Sequence, residues 1–160
     1  MSDSPNSASS TVGDPSVDVS STPRFWRGIA WGVFATIAMS IPMLIGMATG
    51  VAPMPEPIPK ALVTLVFGAS LPGPLLMALS AGSHLAYGGL FGGLLVRLAE
   101  PVTLWQGLGL GVALWLALQV VVLPLLGWGL FGTTITPKIA VATLVLHLIY
   151  GAVLGWGVDR

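Results

Sequence analysis

Residues 84–93 read HLAYGGLFGG, and residues 147–156 read HLIYGAVLGW. The two stretches share the pattern His-Leu-x-Tyr-Gly, and they contain both histidines of the 160-residue chain. Each histidine stands among apolar residues and glycines, and neither stretch contains a charged residue. A chain that repeats such a pattern is predicted to repeat the structural element that carries it.

The composition indicates that the chain folds in a lipid bilayer rather than in water. Hydrophobic residues make up 54% of the sequence and charged residues 8%, whereas a soluble domain averages roughly 25% charged residues. Uncharged runs cover residues 29–55, 61–96 and 101–137, and each exceeds the ~20 residues that cross a bilayer as a helix. Because backbone groups in lipid must pair internally, the sequence predicts an all-α, multi-pass protein of the cell (inner or cytoplasmic) membrane.

The apolar runs divide into four predicted spans, at about residues 25–50, 74–98, 104–128 and 138–158. Pro42 is expected to kink the first span. Residues 51–60 contain four prolines and are predicted to form an extended turn. Residues 61–70 are apolar but too short to cross, so we predict a short interfacial or re-entrant helix there. A kinked second span beginning at Lys60 is the alternative.

The charged residues predict the orientation of the membrane domain, residues 24–160. Residues 1–23 are rich in Ser, Thr, Pro and Asp and are predicted to form a disordered tail. Four arginines fall on one side of a four-span topology (Arg24, Arg27, Arg97 and Arg160) and two lysines on the other (Lys60 and Lys138). The positive-inside rule therefore places both termini in the cytoplasm.

Further matches predict that one helical hairpin was duplicated. Residues 26–33 (WRGIAWGV) correspond to residues 105–112 (WQGLGLGV), and Ser40 corresponds to Gln119. Two such hairpins form a four-helix bundle with parallel repeats, related by a pseudo-two-fold axis along the membrane normal. Small residues at four-residue spacing are predicted to pack the helices or to drive dimerisation: Gly28, Gly32, Gly88, Gly92, Gly107, Gly111, Gly151 and Gly155.

The duplication places polar groups near the centre of the bilayer. The candidate intramembrane site comprises His84, His147, Tyr87, Tyr150, Ser80 and Thr143. These groups are expected to face the bundle interior, since unpaired polar groups in lipid are costly. In one interpretation each imidazole hydrogen-bonds a hydroxyl, such as that of Ser80 or Thr143, and no cofactor is expected. In the other, His84 and His147 hold a metal ion or haem b between them.

The element Ala35-Thr36-Ile37-Ala38-Met39 and the His-Leu-x-Tyr-Gly motifs resemble those of small uncharacterised prokaryotic four-helix membrane proteins. The resemblance covers about residues 26–158. It implies the fold and the membrane location but no activity.

The functional expectation is a non-enzymatic structural or accessory membrane component. A bis-histidine haem or metal-binding protein and a small dimeric transporter or channel remain as alternatives. The expected partners are the lipid bilayer and a homodimer or larger membrane complex. The zero net charge argues against nucleic acid. An intramembrane hydrolase is the weakest candidate, because Gly68-Ala69-Ser70 lacks the second glycine of a nucleophile elbow.

Overall fold

The computed structural model describes residues 21–68 and 70–160, and this part of the chain is all-helical, as predicted. Its helices are α1 (Ser21–Ala48), α2 (Ile58–Phe67), α3 (Gly73–Leu98), α4 (Leu104–Ala117), α5 (Leu123–Leu125) and α6 (Lys138–Gly157). A π-helical turn, Leu118–Val122, joins α4 to α5, and a 3₁₀ turn, Leu130–Gly132, precedes α6. The predicted tail lies outside the described residues, apart from its last three positions, which begin α1.

Three helical segments are long and apolar enough to cross a membrane: Pro23–Ala48, Leu104–Leu125 and Lys138–Gly157. They identify the chain as a membrane protein, and each lies within a few residues of a predicted span. The third predicted span extends to residue 128, but the helix ends at Leu125. At 26 residues, α3 is also long enough, yet its Ser, His and Gly residues lower its hydropathy. Pro42 lies inside α1, which continues through it.

The short helix α2 is separate from α3. Gly68 ends α2 with a φ of 83°, a conformation that glycine adopts without a steric penalty, and its N–H donates to the Thr64 carbonyl. The alternative of one continuous span from Lys60 is therefore wrong. The predicted start at residue 61 is also wrong, because α2 begins at Ile58 and includes Pro59 and Lys60. Proline is tolerated in the first turn of a helix, where its missing N–H would have no intrahelical partner.

The long helices pack in the order α3–α1–α6–α4, with α2 against α3. Each glycine seam, defined as the line of glycines along α1/α3 or along α4/α6, brings two antiparallel backbones into close approach. A Cβ on Gly28 would lie 2.7 Å from the Gly92 carbonyl oxygen, and one on Gly32 would clash with the Gly88 carbonyl. All eight glycines singled out in the sequence lie in these two seams. Their small faces therefore serve packing within the chain, which is the first of the two roles that the sequence predicts for them.

The two seams differ in register by one helical turn. In the first hairpin the approach is Gly28 to Gly92, with Val96 beside it. In the repeated motifs Gly107 corresponds to Gly28, and Gly155 corresponds to Gly92. The same register would therefore bring Gly107 to the Gly155 carbonyl, but Gly107 approaches the carbonyl of Gly151 instead. The two hairpins thus share a packing mode, but the register of their paired helices differs by four residues, about 6 Å along the helix axis.

A charged cluster ties four helix ends together at one end of the bundle. Arg24 donates to the Asp159 carboxylate over 2.7 Å and to the carbonyls of Val96 and Ala99, each over 3.0 Å. The same carboxylate accepts the Val102 N–H over 2.6 Å. This Arg24–Asp159 cluster joins α1 to the end of α3, the start of α4 and the end of α6.

Candidate intramembrane site

A cavity of about 420 Å³ lies between the helices. The cavity forms because the hairpin α1/α3 packs against the hairpin α4/α6 through α1 and α6. In the described part of the chain, α3 and α4 do not pack along each other and leave a space between them. The short helix α2 and Met54 cover the space between them. The lining is predominantly apolar, and its polar members come from α3 (Ser83, His84 and Tyr87) and α6 (Thr143 and His147).

A smaller recess of about 20 Å³ adjoins the cavity and shares five lining residues with it: Met39, His84, Tyr87, Leu114 and His147. A space of this size holds one atom-sized guest, such as a water molecule. The recess is lined by residues of all three sequence motifs, from α1 (Thr36 and Met39), from α3 (His84, Tyr87 and Gly88) and from α6 (His147 and Tyr150), together with Leu114. Segments far apart in the sequence therefore meet at one point.

Backbone carbonyls satisfy most of the polar groups around the recess. The Tyr150 hydroxyl, on a side chain only 2% exposed, donates to the Gly88 carbonyl over 2.7 Å and so links α6 to α3. The Thr36 hydroxyl donates to the Gly32 carbonyl over 2.8 Å. The Tyr150 bond therefore ties two helices together at the recess, whereas the Thr36 bond lies within α1.

The two imidazoles differ in their partners. His147 Nδ1 lies 2.8 Å from the Thr143 carbonyl oxygen. A carbonyl oxygen only accepts, so Nδ1 carries the proton and Nε2 keeps its lone pair. His84 has no hydrogen-bond partner among the residues that the structure describes, although it lines both the cavity and the recess.

The expected hydroxyl–imidazole pairs are wrong. The Ser80 hydroxyl donates to the Leu76 carbonyl over 2.7 Å, and the Thr143 hydroxyl donates to the Ile139 carbonyl over 2.7 Å. Hydroxyls inside a helix reach the carbonyl four residues earlier without displacing any neighbour, and here that local bond wins. Ser80 is buried but lines neither the cavity nor the recess.

The two tyrosines of the repeated motif occupy different surroundings. Tyr150 is buried at the centre, whereas Tyr87 is 44% exposed and packs its ring 4.7 Å from that of Phe91. Because α6 lies between two helices and α3 lies at the end of the row, the same motif position is enclosed in one hairpin and peripheral in the other.

Sequence reasoning did not assign two residues of this region to the site. Gln119 is fully buried in the π-helical turn, and its amide nitrogen donates to the Thr143 hydroxyl over 2.8 Å. Met39 lines both the cavity and the recess. The resemblance motif at residues 35–39 contained Met39, but nothing in the sequence connected it to the histidines.

Comparisons with known proteins place the chain in a family. No curated protein and no solved structure matches it. The model of a family of unknown function, DUF6789, matches residues 23–160, which include every helix that lines the cavity. The chain belongs to the DUF6789 family of unknown function.

Proposed function

We propose that the chain is a non-enzymatic, four-span protein of the cytoplasmic membrane that binds a lipophilic small molecule in its cavity. The fourth span is α3, which is antiparallel to α1 along the glycine seam and is only two residues shorter. Arg24, near the start of α1, donates hydrogen bonds to the backbone carbonyls of Val96 and Ala99 at the end of α3. If α1 crosses the bilayer, the helix packed along its length crosses too.

The topology predicts which side chains a membrane-impermeant maleimide reaches. The chain has no cysteine, so the variants Val51→Cys, Glu100→Cys and Thr133→Cys each report one exposed position. In right-side-out vesicles we expect labelling at positions 51 and 133 but not at 100, which becomes reactive only after permeabilisation. A three-span topology that omits α3 would instead expose positions 51 and 100 and protect position 133.

The cavity is the observation that carries the ligand proposal. Its volume of about 420 Å³ falls in the range of ~300–1,000 Å³ that is typical of small-molecule sites. The mainly apolar lining suits a molecule dissolved in the bilayer, with an apolar body and one polar group that hydrogen-bonds to an imidazole. The described lining residues include no carboxylate and no cation, which favours an uncharged guest.

Filling the cavity is expected to expel the guest. Leu118 lines the cavity, whereas Leu116, in the same helical segment Leu104–Leu125, is 44% exposed on the outer surface. Native mass spectrometry of the detergent-released protein should detect a bound lipophile in the wild type and in Leu116→Trp, but not in Leu118→Trp. A wild-type spectrum without any adduct would contradict the proposal, as would equal retention in the two variants.

Haem is the second candidate, because both histidines line one recess. The recess of about 20 Å³ is too small for a macrocycle, so haem would have to occupy the larger cavity, which both histidines also line. No described cavity-lining residue is cationic and able to pair with the haem carboxylates. An absorption spectrum of protein produced with ample haem is therefore expected to lack a Soret band. A Soret band that is lost in both His84→Ala and His147→Ala would replace the lipophile proposal with haem binding.

A further inference from the structure

Three of the residues that line the atom-sized recess carry uncharged nitrogen or sulfur donors of the kind that bind soft metals. They are the imidazoles of His84 and His147 and the thioether of Met39, contributed by α3, α6 and α1. Among the described residues there is no group of three His, Cys, Asp or Glu placed to hold a metal, so a three-ligand site needs a donor of another type. Met39 is that donor.

We propose that the recess binds a single Cu(I) ion through His84, His147 and Met39. His147 is oriented for this role, because its Nδ1–H donates to the Thr143 carbonyl and leaves Nε2 as the free donor atom. Metal-ligating histidines characteristically donate their second ring N–H to a carbonyl or carboxylate in this way. His84 makes no competing hydrogen bond within the described residues, so its ring nitrogens are available.

The donor set selects the metal by softness and by charge. A thioether ligand favours Cu(I), and imidazole suits copper as well as zinc, iron and nickel, whereas Mg²⁺ and Ca²⁺ require oxygen ligands. Structural zinc sites use four ligands, and the recess supplies three. The electrostatic cost of burying an ion rises with the square of its charge, and no described residue lining the recess is anionic. A monovalent soft ion is therefore the metal that this site suits.

The three proposed ligands also line the larger cavity, so copper and lipophile binding are told apart by residues that line the cavity alone. The recess is lined by Met39 but not by Met43, which lies one turn further along α1 and lines only the larger cavity. Leu118 also lines only the larger cavity. The chain thus offers a matched pair of methionines and a cavity-filling variant with which to distinguish the two sites.

The test is an anaerobic competition for Cu(I) between the full chain in detergent and the chromogenic chelator bicinchoninate. We expect one Cu(I) per wild-type chain. Met39→Leu and His84→Asn are each expected to weaken binding by at least about 100-fold, since even second-shell changes commonly cost ~10–100-fold. Met43→Leu and Leu118→Trp should bind like the wild type. X-ray absorption should show a sulfur neighbour of copper in the wild type and in Met43→Leu but not in Met39→Leu.

Several results would overturn the assignment. The wild type could fail to retain Cu(I) against the chelator, Met43→Leu could weaken binding as much as Met39→Leu, or Zn²⁺ could bind as tightly as Cu(I). Met-to-Leu exchange conserves volume, and its cost in stability is usually below about 1.5 kcal/mol, so unfolding followed by tryptophan fluorescence should verify that both methionine variants fold. Absence of the lipophile adduct would refute the proposed function and leave the Cu(I) result unaffected.

Discussion

Replacing Gly88 by alanine is expected to destabilise the protein by about 3 kcal/mol, at the upper end of the usual cost of overpacking a core. A Cβ at this position would overlap the Thr36 hydroxyl and lie 3.2 Å from the Gly32 carbonyl oxygen. Neither atom can retreat readily, because the hydroxyl is hydrogen-bonded to that same carbonyl. The two helices would have to separate, and the Tyr150–Gly88 hydrogen bond beside them would weaken.

Gly82 provides the matched control on the same helix. A Cβ there has no neighbour within 4 Å, so Gly82→Ala is expected to be neutral or stabilising, since alanine favours a helix by up to ~1 kcal/mol over glycine. The free energies of unfolding can be compared by titrating the mild-detergent protein with dodecyl sulfate while following tryptophan fluorescence. Equal free energies of unfolding for the two alanine variants would contradict the close packing of α1 and α3 at the glycine seam.

Replacing Asp159 by asparagine is expected to cost about 2–3 kcal/mol at neutral pH. Breaking a fully buried ion pair costs ~3–5 kcal/mol, and this pair, with side chains 17–18% exposed, should fall below that range. The change removes the charge that balances Arg24 and weakens the bond to the Val102 N–H. Glu100 is the control, because it lies 3.5 Å from the same guanidinium but is 82% exposed. Glu100→Gln should have little effect, as is usual for surface pairs.

The same cluster predicts how stability depends on pH. The hydrogen bond from Arg24, followed by that from the Val102 N–H, holds the pKa of Asp159 below its ordinary value of 3.8. A depressed folded-state pKa contributes stability above the unfolded-state pKa, and this contribution is lost as the pH falls through the folded-state pKa. The stability difference between the wild type and Asp159→Asn should therefore be constant above about pH 5 and shrink below pH 4. A difference that grew on acidification would contradict this assignment.

Helix existence was predictable from the sequence because lipid leaves a chain few options. Long uncharged runs must satisfy their own backbone groups, so their lengths predicted the helices near residues 25–50, 104–128 and 138–158 before any contact was known. The separation of α2 was predictable for a local reason, since prolines precede it and Gly68 follows it. Its first residue was misplaced because proline is compatible both with an extended turn and with the first turn of a helix.

The partners of the polar side chains could not be read from the sequence. Ser80 precedes His84 by one helical turn, as Thr143 precedes His147, so a pairing looked natural in both hairpins. Each hydroxyl instead bonds its own helix backbone. Which acceptor is nearest depends on side-chain rotamers and neighbouring helices, and these are properties of packing rather than of spacing.

The sequence by itself determined that the chain is helical, that it belongs in a membrane, and that glycines lie along its helix faces. Only the tertiary structure decided which glycine meets which. Glycines that recur every four residues present nearly the same surface after a shift of one turn, so the pattern permits more than one register, and the two hairpins adopt different ones. Other contacts accompany that choice, including the ring of Trp31 against Gly157 and the Arg24–Asp159 cluster. The same packing brings Met39, His84 and His147 to one recess, because side chains distant in sequence become neighbours only when the helices pack.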